Sequence, residues 1–133
     1  MSAADFQAWA IPDLVIPLGG RDYSVRPPSV GNMGKLLACA VRGEIALGLA
    51  EGPIPDEVQA VLDTISPDEH PALGDVYQQM VDDGQHPVTI DRMAYYAIFY
   101  WAKGKEYADA LAEVLWTPRE TAKVVAAEAP KGS

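Results

Sequence analysis

Apolar positions along this chain follow two periods, first of two and then of three to four. Leu14-Val15-Ile16-Pro17-Leu18 is rich in β-formers, and Arg21-Asp22-Tyr23-Ser24-Val25 alternates polar and apolar as a half-buried strand does. Gly19-Gly20 between them tolerates positive φ at both positions, so the stretch predicts a β-hairpin. Pro17 has no N–H to donate and restricts its strand to an edge. Ahead of the hairpin, Phe6 and Trp9 stand three residues apart in one short helical turn that Pro12 stops.

Beyond Pro27-Pro28 the period becomes helical. Ser29 is placed to cap a helix carrying Met33, Leu36, Leu37, Ala40, Val41, Ile45 and Leu47. Gly31, Gly34, Gly43 and Gly48 each weaken it by up to ~1 kcal/mol relative to alanine. They are read as allowing close helix packing, with a division at Gly43 as the alternative. Gly52-Pro53-Ile54-Pro55 breaks the chain, and Asp56-Glu57 then opens a shorter helix through Val58, Val61, Leu62 and Ile65. Ser66-Pro67-Asp68-Glu69 reads as a cap for a third helix running through Leu73, Val76, Tyr77 and Met80 to Asp83-Gly84, its start blurred by Pro71 and Gly74.

Pro87 predicts a loop, with Thr89 capping a helix from Ile90 onward; this helix, over 89–103, is apolar or aromatic on every side from Met93 to Trp101. Gly104 interrupts it. Tyr107, Ala108, Leu111, Ala112, Val114 and Leu115 continue a stripe to Trp116, and Thr117-Pro118 breaks it. The expected architecture is mainly α: a short N-terminal β-hairpin at about 14–25 followed by a bundle of about four to five helices. Residues 1–118 form the single domain, and 119–133, rich in alanine and charge, form a weakly helical or disordered tail.

Composition narrows the function more than the fold. The chain has 133 residues, about half of them apolar, which suffices for a core without disulfides or a structural metal. Its single cysteine, Cys39, sits in the apolar run 36–41 and reads as a packed thiol. The net charge of −9 and ten scattered basic residues argue against nucleic acid, which needs clustered Lys and Arg. No apolar run reaches the ~18 residues of a membrane span, and no leader pattern opens the sequence, so a soluble intracellular protein is expected. A partner with a basic or amphipathic surface fits the acidic balance.

Chemistry is hard to find. His70 beside Glu69, and His86 downstream of Asp82 and Asp83, suggest a metal site only faintly; both read as solvated histidines in polar loops. Asp56-Glu57 and Asp68-Glu69 are explained by helix starts. Asp82-Asp83 falls at a helix end, where negative charge is mildly unfavourable; solvated surface is its plainer reading, with a contact for a basic partner as the alternative. Gly19-Gly20-Arg21 lacks the Lys-Ser or Lys-Thr of a phosphate loop. No catalytic set, metal or cofactor is expected, and the reading is a protein that holds a partner. The aromatic block Tyr95, Tyr96, Phe99, Tyr100 and Trp101 is the strongest feature. Core packing is its plainer reading, but five rings around one helix are hard to hide in so small a core, so part of that surface is expected to be covered by a second copy or a partner. Tyr95, Phe99 and Trp101 are the expected exposed anchors, with Asp82 and Asp83 as accessory contacts.

The order of these features resembles the tail assembly chaperones of long-tailed bacteriophages. The matching stretches are the hairpin 14–25 with Pro27-Pro28-Ser29, then Leu73-Gly74-Asp75-Val76-Tyr77-Gln78-Gln79-Met80 with Asp83-Gly84, and the aromatic helix ending near Gly104. They cover most of residues 14–116 as patterns of shape, and 52–65 adds little. The resemblance implies a host-cytoplasmic protein, absent from the finished virion, that binds the tape measure protein and keeps it soluble until tail tube subunits polymerise around it. It also implies a longer form made by ribosomal frameshifting, through which the tail tube protein is met; Ala129-Pro130-Lys131-Gly132 is compatible with a slippery codon run. Weak homo-oligomers would add avidity along such a client. Two readings of another class remain: a structural tail or head-tail connector protein, and a helical adaptor or antitoxin-like regulator.

Overall fold

The computed structural model describes residues 10–116. Strand β1 (Leu14–Leu18) pairs antiparallel with β2 (Arg21–Val25). Five helices follow: α1 (Val30–Ala46), α2 (Asp56–Leu62), α3 (Val76–Asp82), α4 (Pro87–Lys103) and α5 (Lys105–Trp116). The protein is therefore mainly α behind an N-terminal hairpin at 14–25, as the hydrophobic pattern predicts. The turn expected around Phe6 and Trp9, the break at 117–118 and the tail at 119–133 lie outside the described residues.

The hairpin forms because both turn positions are glycines with left-handed backbones, φ 62° at Gly19 and 88° at Gly20, the geometry a two-residue connection requires. Its register sets Leu14 opposite Val25 and Ile16 opposite Tyr23, so all four side chains turn to one buried face while Val15 and Pro17 face outward. A two-stranded ribbon is marginal by itself, and α3 supplies what it lacks. The buried Tyr23 donates its hydroxyl proton to Asp83 at 2.6 Å and accepts from Gln85 Nε2 at 3.2 Å. Arg21 pairs with Asp83, donates to Gln79, and lies over the Tyr23 ring at 4.5 Å.

Ser29 caps α1 as expected, its Oγ accepting from the Asn32 N–H at 3.1 Å. Replacing this exposed cap by alanine should lower the unfolding free energy by about 1 kcal/mol, read as an earlier urea midpoint with an unchanged slope. The four glycines of that region divide in role. Only Gly43 lies at a close approach, whereas Gly31 and Gly34 have open space where a Cβ would be. Gly48 is outside the helix: with φ 78° it terminates α1, its N–H reaching the Ile45 carbonyl while Leu49 N–H reaches that of Glu44. Gly84 ends α3 by the same pattern, onto Val81 and Met80.

Two predicted helix starts shift. The third helix begins at Val76 rather than near Ser66, because Pro71 and a left-handed Gly74 (φ 56°) break the intervening chain into turns. Ser66 does not cap the helix: its N–H donates to Glu69 Oε1 at 3.0 Å and its hydroxyl to Asp68 at 2.5 Å, within a turn. The fourth helix begins at Pro87 itself. Proline fits the first helical position, where its missing N–H is not needed, and the cap is His86, whose Nδ1 accepts from Val88 N–H at 3.1 Å. Thr89 thus lies inside the first turn. Gly104 (φ 104°) ends α4 and lets α5 turn back onto it.

Helix α4 is central. On one side the hairpin, Leu36, Leu73, Val76 and Met80 pack with Ile90 and Ala97. On another, Ala38, Cys39 and Leu62 join α1 to α2, with Ile98 against them. On a third, Phe99 seals Ala40 of α1 and Ala108 of α5. Cys39 is buried and unpaired, and burial pushes its thiol up despite nearby Arg42, consistent with a packed hydrophobe.

Candidate protein-binding face

The aromatic block lies entirely on α4, and its burial is uneven. Phe99 is 1% exposed, while Tyr95, Tyr96, Tyr100 and Trp101 are half-buried. Three of those four are held by neighbours: Tyr96 donates to Asp109 of α5, and Tyr100 meets Trp101 edge-on with centroids 4.9 Å apart. Burial first, then the Asp109 hydrogen bond, pushes the Tyr96 phenol well above its usual range. Tyr107 of α5 similarly donates to Glu44 of α1 at 3.0 Å, with Lys103 3.5 Å from the same carboxylate. These bonds fix α5 against the α1–α4 pair.

Tyr95 is different because it stands between two hollows. The first, about 350 Å³, opens between α1, α2, the 66–73 turns and α4; Leu62, Ile98 and Leu73 line it, with Arg42 and His70. The second, about 260 Å³, lies where the ends of α1 and α5 meet the start of α4, lined by Leu47, Val88, Arg92, Leu115 and Trp116, with Phe99 reaching it. Tyr95 and Asp91, one turn apart on α4, line both. They form a ridge between two hollows, the first mixed, with Arg42, Glu69 and His70 beside Leu62, Leu73 and Ile98, and the second chiefly apolar. Leu47 and Val88 remain 36% and 52% exposed.

Gly43 sets the height of this ridge. A Cβ there would sit 3.2 Å from Tyr95 Cε1 and 3.2 Å from Phe99 Cζ, so the missing side chain lets α4 lie close against α1. The two rings stack with centroids 6.3 Å apart, Phe99 inward and Tyr95 outward.

The expected anchors separate accordingly. Tyr95, expected as an exposed anchor, is partly exposed and lines both hollows. Phe99 does not: as the seal between α1, α4 and α5 it belongs to the monomer's core, and its expected exposure is corrected. Trp101 is half-buried against the main core and lines neither hollow. Asp83 is engaged by Arg21 and Tyr23, and Asp82 accepts from Gln78 at 2.8 Å; both sit at the end of α3, away from the residues lining either hollow. Arg42, Arg92, Leu47 and Val88 went unremarked as contacts, since isolated arginines and helix-end aliphatics carry no pattern of their own.

Neither histidine is simply solvated. His86 caps α4, and His70 stacks on Tyr77 at 3.4 Å between centroids, its Nε2 shielded and without a partner. Burial holds the His70 imidazole below its ordinary 6.5, against the opposing pull of Asp68 and Asp91. The unfolded chain therefore binds a proton more readily than the folded one. The contribution of neutral His70 is full above pH 6.5, shrinks as pH falls toward the folded value, and levels off below it. The urea midpoint of the wild type should drop between pH 7.5 and 5.5, and His70→Gln should flatten that drop.

Among the described residues no group of three or more His, Cys, Asp or Glu is placed to hold a metal ion, and no helix is long and apolar enough to cross a membrane. A family model described as a domain of unknown function (DUF7426) matches residues 4–133. No curated protein and no solved structure matches the chain.

Proposed function

The chain belongs to the DUF7426 family, and we propose that it serves there as a tail assembly chaperone of long-tailed bacteriophages. In this role it binds the tape measure protein in the host cytoplasm, holds it soluble, and releases it to tail tube subunits, which a longer frameshifted form would recruit. The observation that carries the reading is the Tyr95 ridge between a mixed hollow and a chiefly apolar one on a chain of net charge −9. A partly exposed ring flanked by depressions is a surface an amphipathic helix can cover. Its modest size suits a client that must be displaced later, because small interfaces leave little surplus after the cost of ordering both partners. Repetition of similar segments along a tape measure would restore retention through avidity.

Co-expression with the tape measure protein encoded nearby tests the proposal. The client should move from the insoluble to the soluble fraction and co-purify with this chain, and mass spectrometry of finished virions should detect none of it. A client equally soluble alone, with no co-purification, sinks the reading.

A further inference from the structure

The ridge is not charged as the rest of the molecule is. Seven basic side chains lie among residues 10–116, and four of them, Arg21, Lys35, Lys103 and Lys105, are paired with carboxylates. Arg26, Arg42 and Arg92 have no carboxylate partner among the described residues. Two of those three, Arg42 and Arg92, are exposed and line the first and the second hollow respectively, on either side of Tyr95. Among the acids that line the hollows, Glu69 is taken up by Lys35, which leaves Asp91 against two free guanidinium groups. Among the described residues the local balance is positive, on a chain whose net charge is −9.

We infer that this face docks an acidic amphipathic helix of the client, with apolar side chains entering the two hollows across the Tyr95 ridge and carboxylates pairing with Arg42 and Arg92. The inference rests on the reading of the chain as a protein-binding module and names the chemistry of what it binds. A guanidinium presents a rigid fork of donors that matches a carboxylate in two parallel hydrogen bonds. Beside apolar walls that an incoming helix would dry, such a pair gains over one in open solvent. The net charge alone would select a basic segment, but a basic segment here would meet two cations and one carboxylate. The net negative charge of the chain disfavours acidic segments elsewhere, which helps direct the client to this face.

The test uses the full chain, isotope-labelled, titrated with a synthetic amphipathic helical peptide blocked at both ends, carrying leucines on one face and glutamates along its borders. A second peptide has lysine at every glutamate position. The glutamate peptide should shift the resonances of Leu47, Val88, Tyr95 and both arginine side chains and bind about tenfold more tightly than its lysine counterpart, as two partly exposed ion pairs would give. The doubly substituted R42E/R92E chain, altered only at exposed positions, should reverse that order.

Equal or tighter binding of the lysine peptide overturns the inference, as do shifts confined to another surface. So does movement of the same resonances on dilution of the protein alone, which would assign the face to a second copy. The two proposals fail separately. A tape measure protein that R42E/R92E solubilises as well as the wild type removes this inference and leaves the chaperone, whereas glutamate-peptide binding beside an unassisted tape measure does the opposite.

Discussion

Phe99→Ala should lower the unfolding free energy by about 3–5 kcal/mol, the range for emptying a buried aromatic position. The ring is 1% exposed and fills the junction of three helices, against Ala40 of α1 and Ala108 of α5, with Tyr107 5.7 Å away between centroids. The α1 and α5 residues buried with it are alanines, too short to fill the void, and Tyr107 is held by its hydrogen bond to Glu44. A domain of this size holds roughly 5–15 kcal/mol in all, and the variant would sit near the edge of folding. Tyr95→Ala, four residues earlier on the same helix, removes a ring that is only partly buried and should cost about 1–2 kcal/mol. Chemical denaturation of the two variants checks the contrast. Similar losses at both positions would mean that the inward and outward assignments of these rings are wrong.

That contrast is also where the sequence was least legible. The hairpin could be read to the residue because its determinants are local: two adjacent glycines, alternation, and a proline on an edge strand. The Ser29 cap is local in the same way. Helix starts were misplaced where two local signals competed. Pro87 reads equally as a loop or as a first helical residue, and the His86 cap that decides between them is not a common capping residue. Pro71 and Gly74 overrode the capping signal at Ser66.

On α4 the difficulty was of another kind. A helix apolar on every side carries no preferred face, so the pattern could nominate Tyr95, Phe99 and Trp101 together without ordering them by exposure. The order comes from Gly43, some fifty positions upstream, and from α5 folding back at Gly104. The ion pairs were equally hidden, since Arg21 finds Asp83 and Lys35 finds Glu69 only across the fold. Which arginines remain unpaired, and hence the charge of the ridge, could not be counted before those contacts were known.

Gly43→Val should be the second most damaging substitution at a small position, lowering stability by about 1–3 kcal/mol through overpacking. The first added carbon would already stand 3.2 Å from both Tyr95 and Phe99, and the two branches beyond it have nowhere to go unless α4 moves away from α1. Valine is the better helix former, by about 0.3–0.5 kcal/mol, so the clash wins by a clear margin. Gly34→Ala is the control. It lies in the same helix, exposed, with nothing within reach of the new methyl group, and should raise stability by about 0.5–1 kcal/mol through the unfolded state.

Thermal melts of the pair should therefore move in opposite directions. The functional readout separates them further. Displacing α4 displaces Tyr95, the shared wall of both hollows, so a folded Gly43→Val chain should bind the amphipathic glutamate peptide more weakly. Gly34→Ala should leave that binding unchanged. Unaltered peptide affinity in folded Gly43→Val would mean that the ridge does not form the contact surface, whatever the stability data say.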